Sequence, residues 1–168
     1  MNLTDIRNQM PDIFEKIKRD VEKETGRHRA GLTLGLAEMG MFQGGFIGGM
    51  FFSGGTMILM NITPLKMILE QQPDEIVWAY TYHILLHEYI HSLGFLNEKQ
   101  CQALTLEISK NVFKEANHPA IVLATKGIGA FFPNLPLIYA PPDFDPRYGL
   151  KVERLKEFDR GSHQSYFV

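Results

Sequence analysis

A helix predicted over residues 74–93 constrains the fold more than any other feature of this sequence. Pro73 suits a helix start, and Gly94 suits a C-terminal cap just beyond the end. At 1.5 Å per residue the helix would be roughly 30 Å long. Apolar side chains leave little room for a solvated stripe around its centre. We therefore expect this helix to be buried in the core.

Polar side chains nevertheless interrupt the apolar run, in the segment His87-Glu88-Tyr89-Ile90-His91. Histidines four residues apart lie on one helix face, where two imidazole nitrogens can bind one zinc ion. Glu88 lies beside His87, within reach of a water molecule at such an ion. Burying two imidazoles and a carboxylate with nothing bound would cost roughly several kcal/mol. The segment predicts a zinc site, and the alternative is a solvated helix face that carries these residues by chance.

Two further residues near the segment are predicted to support it rather than to bind metal. His83 lies about 12 Å from His91 along the helix axis, too far to share one ion comfortably, so we expect a core or supporting role. Cys101 is the single cysteine, which excludes an internal disulfide and a multi-cysteine zinc module. We expect a small buried apolar residue there, and a minor metal-binding role stays open.

The stretch from His87 to Glu98 resembles the zincin metallopeptidases. The resemblance implies zinc, peptide-bond hydrolysis, and a mixed fold with an edge strand beside the cleft. Gly94 matches the metzincin pattern, but Asn97 stands where that pattern has its third histidine. The last methionine is Met67, so no methionine turn can follow. The sequence is thus more similar to the compact gluzincins and minigluzincins, which take a glutamate ligand from a following helix.

The third ligand is predicted to come from a helix over residues 98–116. Glu98 is the preferred candidate, because it shares the expected inward face with Cys101 and Ile108. Glu107 points more to the side, and Glu115 or a residue distant in the sequence is a further candidate. Asn97 is a weaker one, because with Gln100 it fits a helix N-cap. The alternative for Glu98 is an acid stabilised in the first helical turn.

The rest of the chain predicts an α+β fold with a small mixed sheet, as one domain over residues 1–168. An amphipathic helix is expected over residues 12–25, after Pro11. Strands are expected around Leu32, Leu34 and Leu36 and over residues 46–52 and 57–61, with a turn at residues 54–55. Residues 64–73 indicate a short helix or loop. Near the C-terminus a short helix is suggested by Val152, Leu155 and Phe158.

The segment 39–65 has no charged residue and seven glycines. A glycine-rich hairpin in the core is the preferred interpretation, and a membrane-spanning helix is the alternative. The formal net charge of −2 gives no sign of nucleic-acid binding. The N-terminus lacks a signal-peptide pattern, and we expect a cytoplasmic protein.

The leading functional hypothesis is a zinc metallopeptidase with metal ligands His87, His91 and Glu98. Glu88 would act as general base on a zinc-activated water, and the partner would be a peptide or protein substrate. One rival is a non-catalytic binding or regulatory protein that retains the metal site. A membrane-embedded metallopeptidase is another. The roles of His163, Tyr139, Tyr148 and Tyr166 stay open, with a surface position favoured for His163 over an oxyanion-stabilising one.

Overall fold

The computed structural model describes residues 1–140 and 150–155, and the backbone of residues 166–167. The described part is a mixed α and β structure with a small mixed sheet. Its helices are α1 (Leu3–Thr25), α2 (Ile62–Gln71), α3 (Asp74–Ser92), α4 (Glu98–Val112) and α5 (Pro119–Lys126). Its strands are β1 (Arg29–Ala30), β2 (Thr33–Ala37), β3 (Phe46–Ile47), β4 (Gly49–Phe51), β5 (Met57–Asn61), β6 (Leu137–Ile138), β7 (Glu153–Leu155) and β8 (Tyr166–Phe167).

The main sheet has four strands in the order β4-β5-β2-β7. Strands β2 and β5 are parallel, and each has an antiparallel neighbour, β7 and β4 respectively. Two small pairs stand apart from this sheet, β1 with β8 antiparallel and β3 with β6 parallel. Strand β4 therefore lies at one edge of the four-stranded sheet.

Helix α3 is the central helix of the described structure. It begins at Asp74 and ends at Ser92, within one residue of the range predicted from the sequence. Most of its residues are buried, because α1, α4, α5 and strand β4 all pack against it. The chemistry-bearing residues of this helix therefore lie inside the protein, as their apolar surroundings indicate.

Helix α1 starts nine residues earlier than the sequence predicts. The side chain of Asn2 accepts a hydrogen bond from the backbone of Asp5, and the side chain of Asp5 accepts one in return, which forms a capping box. Pro11 lies inside the helix and is buried, rather than preceding it. Ile6 and Met10 continue the buried stripe towards the N-terminus, so the prediction of a start at residue 12 was wrong.

The uncharged segment 39–65 contains β3, β4, β5 and the start of α2. Strands β4 and β5 form the expected antiparallel hairpin, and Gly54 turns between them with φ of 82°. The interpretation of this segment as a spanning helix is therefore wrong. Across the described residues, no helix has the length and apolar character needed to cross a membrane.

Three details of the C-terminal third differ from the sequence predictions. Helix α4 ends at Val112 instead of residue 116, because Phe113 is extended with φ of −95° and ψ of 121°. Helix α5 was not predicted. Val152 precedes a strand rather than lying in a helix, since residues 153–155 pair with β2 along its open side. Three apolar residues at helical spacing define too short a helix to be stable against that strand pairing. Phe158, the third of these residues, lies outside the described residues.

Candidate metal centre

A tight turn between α3 and α4 brings the two helices together at the site. The backbone N–H of Leu93 donates to carbonyls of the last helical turn, and Gly94 follows with φ of 102°, a conformation that favours glycine. Asn97 then caps α4 by accepting a hydrogen bond from the backbone N–H of Gln100 at 3.0 Å. This turn places Glu98, the first residue of α4, next to His91.

The structure brings the three preferred metal ligands together. Nε2 of His87 lies 2.6 Å from Oε1 of Glu98, and Nε2 of His91 lies 3.2 Å from Oε2 of the same carboxylate. The two imidazole rings are nearly perpendicular, with centroids 4.7 Å apart. Both Nε2 atoms and one carboxylate therefore converge on one point.

The chemistry of this donor set fits a zinc ion. Among the described residues, Oε1 of Glu98 is buried and has no hydrogen-bond partner of acceptable geometry, although His87 is so near. Two lone pairs this close require a proton or a cation between them. Two imidazoles and one carboxylate form a common catalytic zinc set, which leaves a fourth position open.

The remote nitrogen of each imidazole is also engaged. Nδ1 of His91 lies 2.8 Å from the carbonyl oxygen of Phe95, to which it donates. With Nδ1 engaged in this way, Nε2 is the nitrogen left to bind a metal ion, and it faces the site. Nδ1 of His87 lies 3.5 Å from Sγ of Cys101, whose S–H donates to the backbone carbonyl of His87 at 3.3 Å.

Cys101 is an alternative third ligand. Ligand atoms of His87, His91 and Cys101 lie within 4.8 Å of one another. Without a metal ion, the carboxylate is the more readily ionised of the two candidate groups. Burial, with the charges of Glu88 and Glu98, raises the pKa of the Cys101 thiol above its usual range. Burial alone would also raise the pKa of Glu98, but its close contacts with the imidazoles of His87 and His91 lower it to about 2, so Glu98 is ionised.

Glu88 is buried within the same site, where 5% of its surface is exposed. Burial raises the pKa of Glu88, and nearby positive charge on His87 and His91 works in the opposite direction. Its Cγ atom lies 3.5 Å from the place where a Cβ on Gly49 would stand, so this carboxyl group lies under strand β4. A carboxylate with a raised pKa beside a metal position is suited to accept a proton.

The site opens into a cleft of about 700 Å³. One wall is formed by β4 and the residues after it, and the other by α3 and the start of α4. The lining residues are Met50, Phe51, Phe52, Ser53, His87, Glu88, His91, Leu96, Asn97, Glu98, Lys99 and Ala140. Glu107 and Glu115 are exposed and do not line this cleft. Asn97 lines it, but its side-chain oxygen is used in capping α4.

The outer edge of β4 offers backbone groups beside the cleft. The backbone N–H of Asn61 donates to the carbonyl of Gly48, and Met50 pairs with Leu59. Hydrogen bonding alternates along an antiparallel pair, so Gly49 and Phe51 direct their N–H and C=O groups away from β5. An extended chain could pair with this edge.

His83 and Tyr139 lie behind the metal position. The Nε2 atom of His83 forms a 2.9 Å hydrogen bond with the hydroxyl of Tyr139, and the His83 ring centroid lies 6.5 Å from that of His87. His83 is buried, as expected for a core residue. Tyr139 stacks on His87, which no local sequence pattern indicates. His163, Tyr148 and the side chain of Tyr166 lie outside the described residues.

No family model matches this chain, and no curated protein or solved structure is detectably similar to it.

Proposed function

We propose that this protein is a zinc-dependent peptidase. The observation that carries the proposal is the convergence of His87, His91 and Glu98 on one point, with Glu88 beside it in an open cleft. Zinc bound by these three side chains would polarise a carbonyl oxygen and lower the pKa of its bound water to about 7.

Glu88 is the general base in this proposal. It would accept a proton from the attacking water and later donate that proton to the leaving amine. Burial raises its pKa, which makes the carboxyl group a stronger base than an exposed glutamate. Its position under β4 places it between the metal ligands and the strand edge, where the scissile bond of a bound peptide would lie.

A peptide is the substrate class that best matches the cleft. The outward N–H and C=O groups of Gly49 and Phe51 can donate hydrogen bonds to an extended peptide backbone and accept hydrogen bonds from it, as in β-strand addition. Lining side chains on β4 would then contact alternate substrate side chains. A small polar substrate would leave these backbone groups unused.

The test of this proposal compares peptide hydrolysis by the wild type and by Glu88→Gln, both loaded with zinc. We expect the variant to bind zinc with unchanged stoichiometry and to lose at least about 100-fold in kcat, as for removal of a general base. Glu107→Gln is the matched control, since it removes an exposed glutamate outside the cleft. Undiminished hydrolysis by Glu88→Gln would sink the role given to Glu88.

A second candidate function is a metal-binding protein without peptidase activity. It is favoured by the proximity of Cys101 to both histidines, because a fourth protein ligand would close the site, and closed zinc sites are usually structural. Cobalt substitution distinguishes the two functions. A thiolate-to-cobalt charge-transfer band would support the closed site, and its absence in a peptide-cleaving protein would exclude it.

A further inference from the structure

Tyr139 lies face to face with the ring of a candidate metal ligand. Its ring is stacked on that of His87, with centroids 4.3 Å apart and an angle of 17° between the planes. Tyr139 comes directly after β6, and Phe46 of β3 donates a backbone hydrogen bond to the carbonyl of Pro136 at 2.7 Å. The tyrosine is thus brought to the site by a segment separate from α3 and α4.

His83 anchors the far end of the same tyrosine. The Tyr139 hydroxyl lies 2.9 Å from Nε2 of His83, which is 2% exposed. Nδ1 of His83 is buried without a hydrogen-bond partner among the described residues. Among the described residues, the buried imidazole of His83 therefore forms its side-chain hydrogen bond with Tyr139. This hydrogen bond fixes the position of the phenol ring.

The two metal-binding histidines differ in what holds them. His91 donates a short hydrogen bond from Nδ1 to the carbonyl of Phe95. The Nδ1 contact of His87 is with the sulfur of Cys101 at 3.5 Å, and sulfur is a weak acceptor. A weak hydrogen bond restrains rotation of the imidazole less, so the ring plane of His87 needs a second restraint.

We propose that Tyr139, anchored by His83, is a positioning residue that holds the His87 ring in its metal-binding orientation. The stacked phenol blocks rotation of the imidazole, and the hydrogen bond to His83 prevents the phenol from moving away. This inference is based on the proposed metal site, and it assigns Tyr139 no contact with substrate. Partners that orient metal ligands typically affect metal affinity by about 10- to 100-fold.

A double-mutant cycle on zinc affinity tests the proposal. Tyr139→Phe keeps the stacked ring and removes the hydroxyl, whereas His83→Phe removes the other partner of the same hydrogen bond. We expect each to weaken zinc binding about threefold to tenfold, with no further loss in the double variant, because both remove one shared interaction. Tyr139→Ala, which also removes the ring, should weaken binding by about 10- to 100-fold.

Tyr82→Phe is the matched control. Tyr82 lies on α3, like His83 and His87, and its hydroxyl donates a partly buried hydrogen bond to Asp20 at 2.7 Å, away from the site. We expect this variant to lower the unfolding temperature in chelator while leaving the zinc dissociation constant within about twofold of the wild-type value. The visible bands of the cobalt-substituted protein should change in Tyr139→Ala and stay unchanged in Tyr82→Phe.

Three results separate this inference from the proposed function. Zinc affinities of Tyr139→Phe and Tyr139→Ala within twofold of wild type would overturn the positioning role and leave the metal site intact. Additive losses in the cycle would overturn the anchoring by His83. A wild-type protein that binds no zinc would overturn the proposed function, and this inference with it.

Discussion

The sulfur of Cys101 lies 3.5 Å from Nδ1 of His87, whereas the carboxylate of Glu98 lies 2.6 Å from Nε2 of the same ring. Cys101 and Glu98 are three residues apart in α4, so they lie on the same helix face. One turn of α4 therefore contacts both nitrogens of His87. We therefore expect the thiol to support His87 and the carboxylate to act as the metal ligand.

Substitution of Cys101 tests that division of roles. Cys101→Ser retains a polar group that can accept from Nδ1, so we expect zinc affinity within about fivefold of wild type. Cys101→Val removes the acceptor and should weaken zinc binding by about tenfold, as for loss of an orienting partner. Isothermal titration with zinc measures both. A loss of more than about 1,000-fold in Cys101→Ser would instead identify the sulfur as a metal ligand.

The identity of the third ligand is tested by two isosteric variants of α4. Glu98→Gln keeps the shape of the side chain and removes the charge that faces both Nε2 atoms, so we expect zinc affinity to fall at least about 100-fold. Glu107→Gln should bind zinc like the wild type, because Glu107 is exposed and lies outside the cleft. The opposite ranking of the two variants would assign the ligand to Glu107.

Two exposed apolar side chains predict a preference for apolar substrates. Phe52 is 37% exposed and Leu96 is 56% exposed, and both line the cleft, one on each wall. Phe52→Ala and Leu96→Ala should each raise KM about threefold to tenfold for peptides with a bulky apolar residue beside the scissile bond, since partial burial of such a side chain contributes about 1 kcal/mol.

The control for this preference uses Met41 and Val152, which are exposed apolar residues that do not line the cleft. Their alanine variants should leave KM unchanged for the same peptides. Equal effects of all four substitutions on KM would show that Phe52 and Leu96 have no specific role in substrate recognition.

The central helix and the proximity of the predicted ligands could be inferred from the sequence because the signals are local. Pro73 and Gly94 delimit α3, and the four-residue spacing of His87 and His91 fixes their common face. Glu98 is preferred because its spacing places it on the inward face of α4 with Cys101 and Ile108, and the cap at Asn97 marks where that helix begins. The residues that carry each of these signals are separated by fewer than about two helical turns or by a single tight turn.

Other features depend on contacts between distant segments. Tyr139 reaches His87 only because β6 pairs with β3, and nothing in the residues around Tyr139 encodes that pairing. Strand β7 likewise forms on the open side of β2, where tertiary pairing outweighs local preference. The early start of α1 had a local signal, the Asn2–Asp5 capping box, which the presence of Pro11 obscured.

The buried imidazole of His83 predicts how the stability of the metal-free protein depends on pH. Burial, with the nearby positive charge of His87, lowers the pKa of His83 to about 3, whereas an unfolded histidine has a pKa of about 6.5. Between these values the unfolded chain binds one more proton than the folded protein. The free energy of unfolding should therefore decrease as the pH falls from about 6.5 towards 3, by at most about 1.4 kcal/mol per pH unit from this group.

Urea unfolding in chelator at pH 7.5 and pH 5.0 measures this dependence. His83→Phe removes the titrating group, so its loss of stability over this interval should be smaller than that of the wild type by about 1–2 kcal/mol. Tyr139→Phe removes the same hydrogen bond but keeps the imidazole, and it should retain the wild-type pH dependence. The carboxyl groups contribute the same pH dependence of stability to all three proteins, so their contribution cancels when the proteins are compared. An identical pH dependence in His83→Phe and wild type would show that His83 titrates alike in the folded and unfolded states.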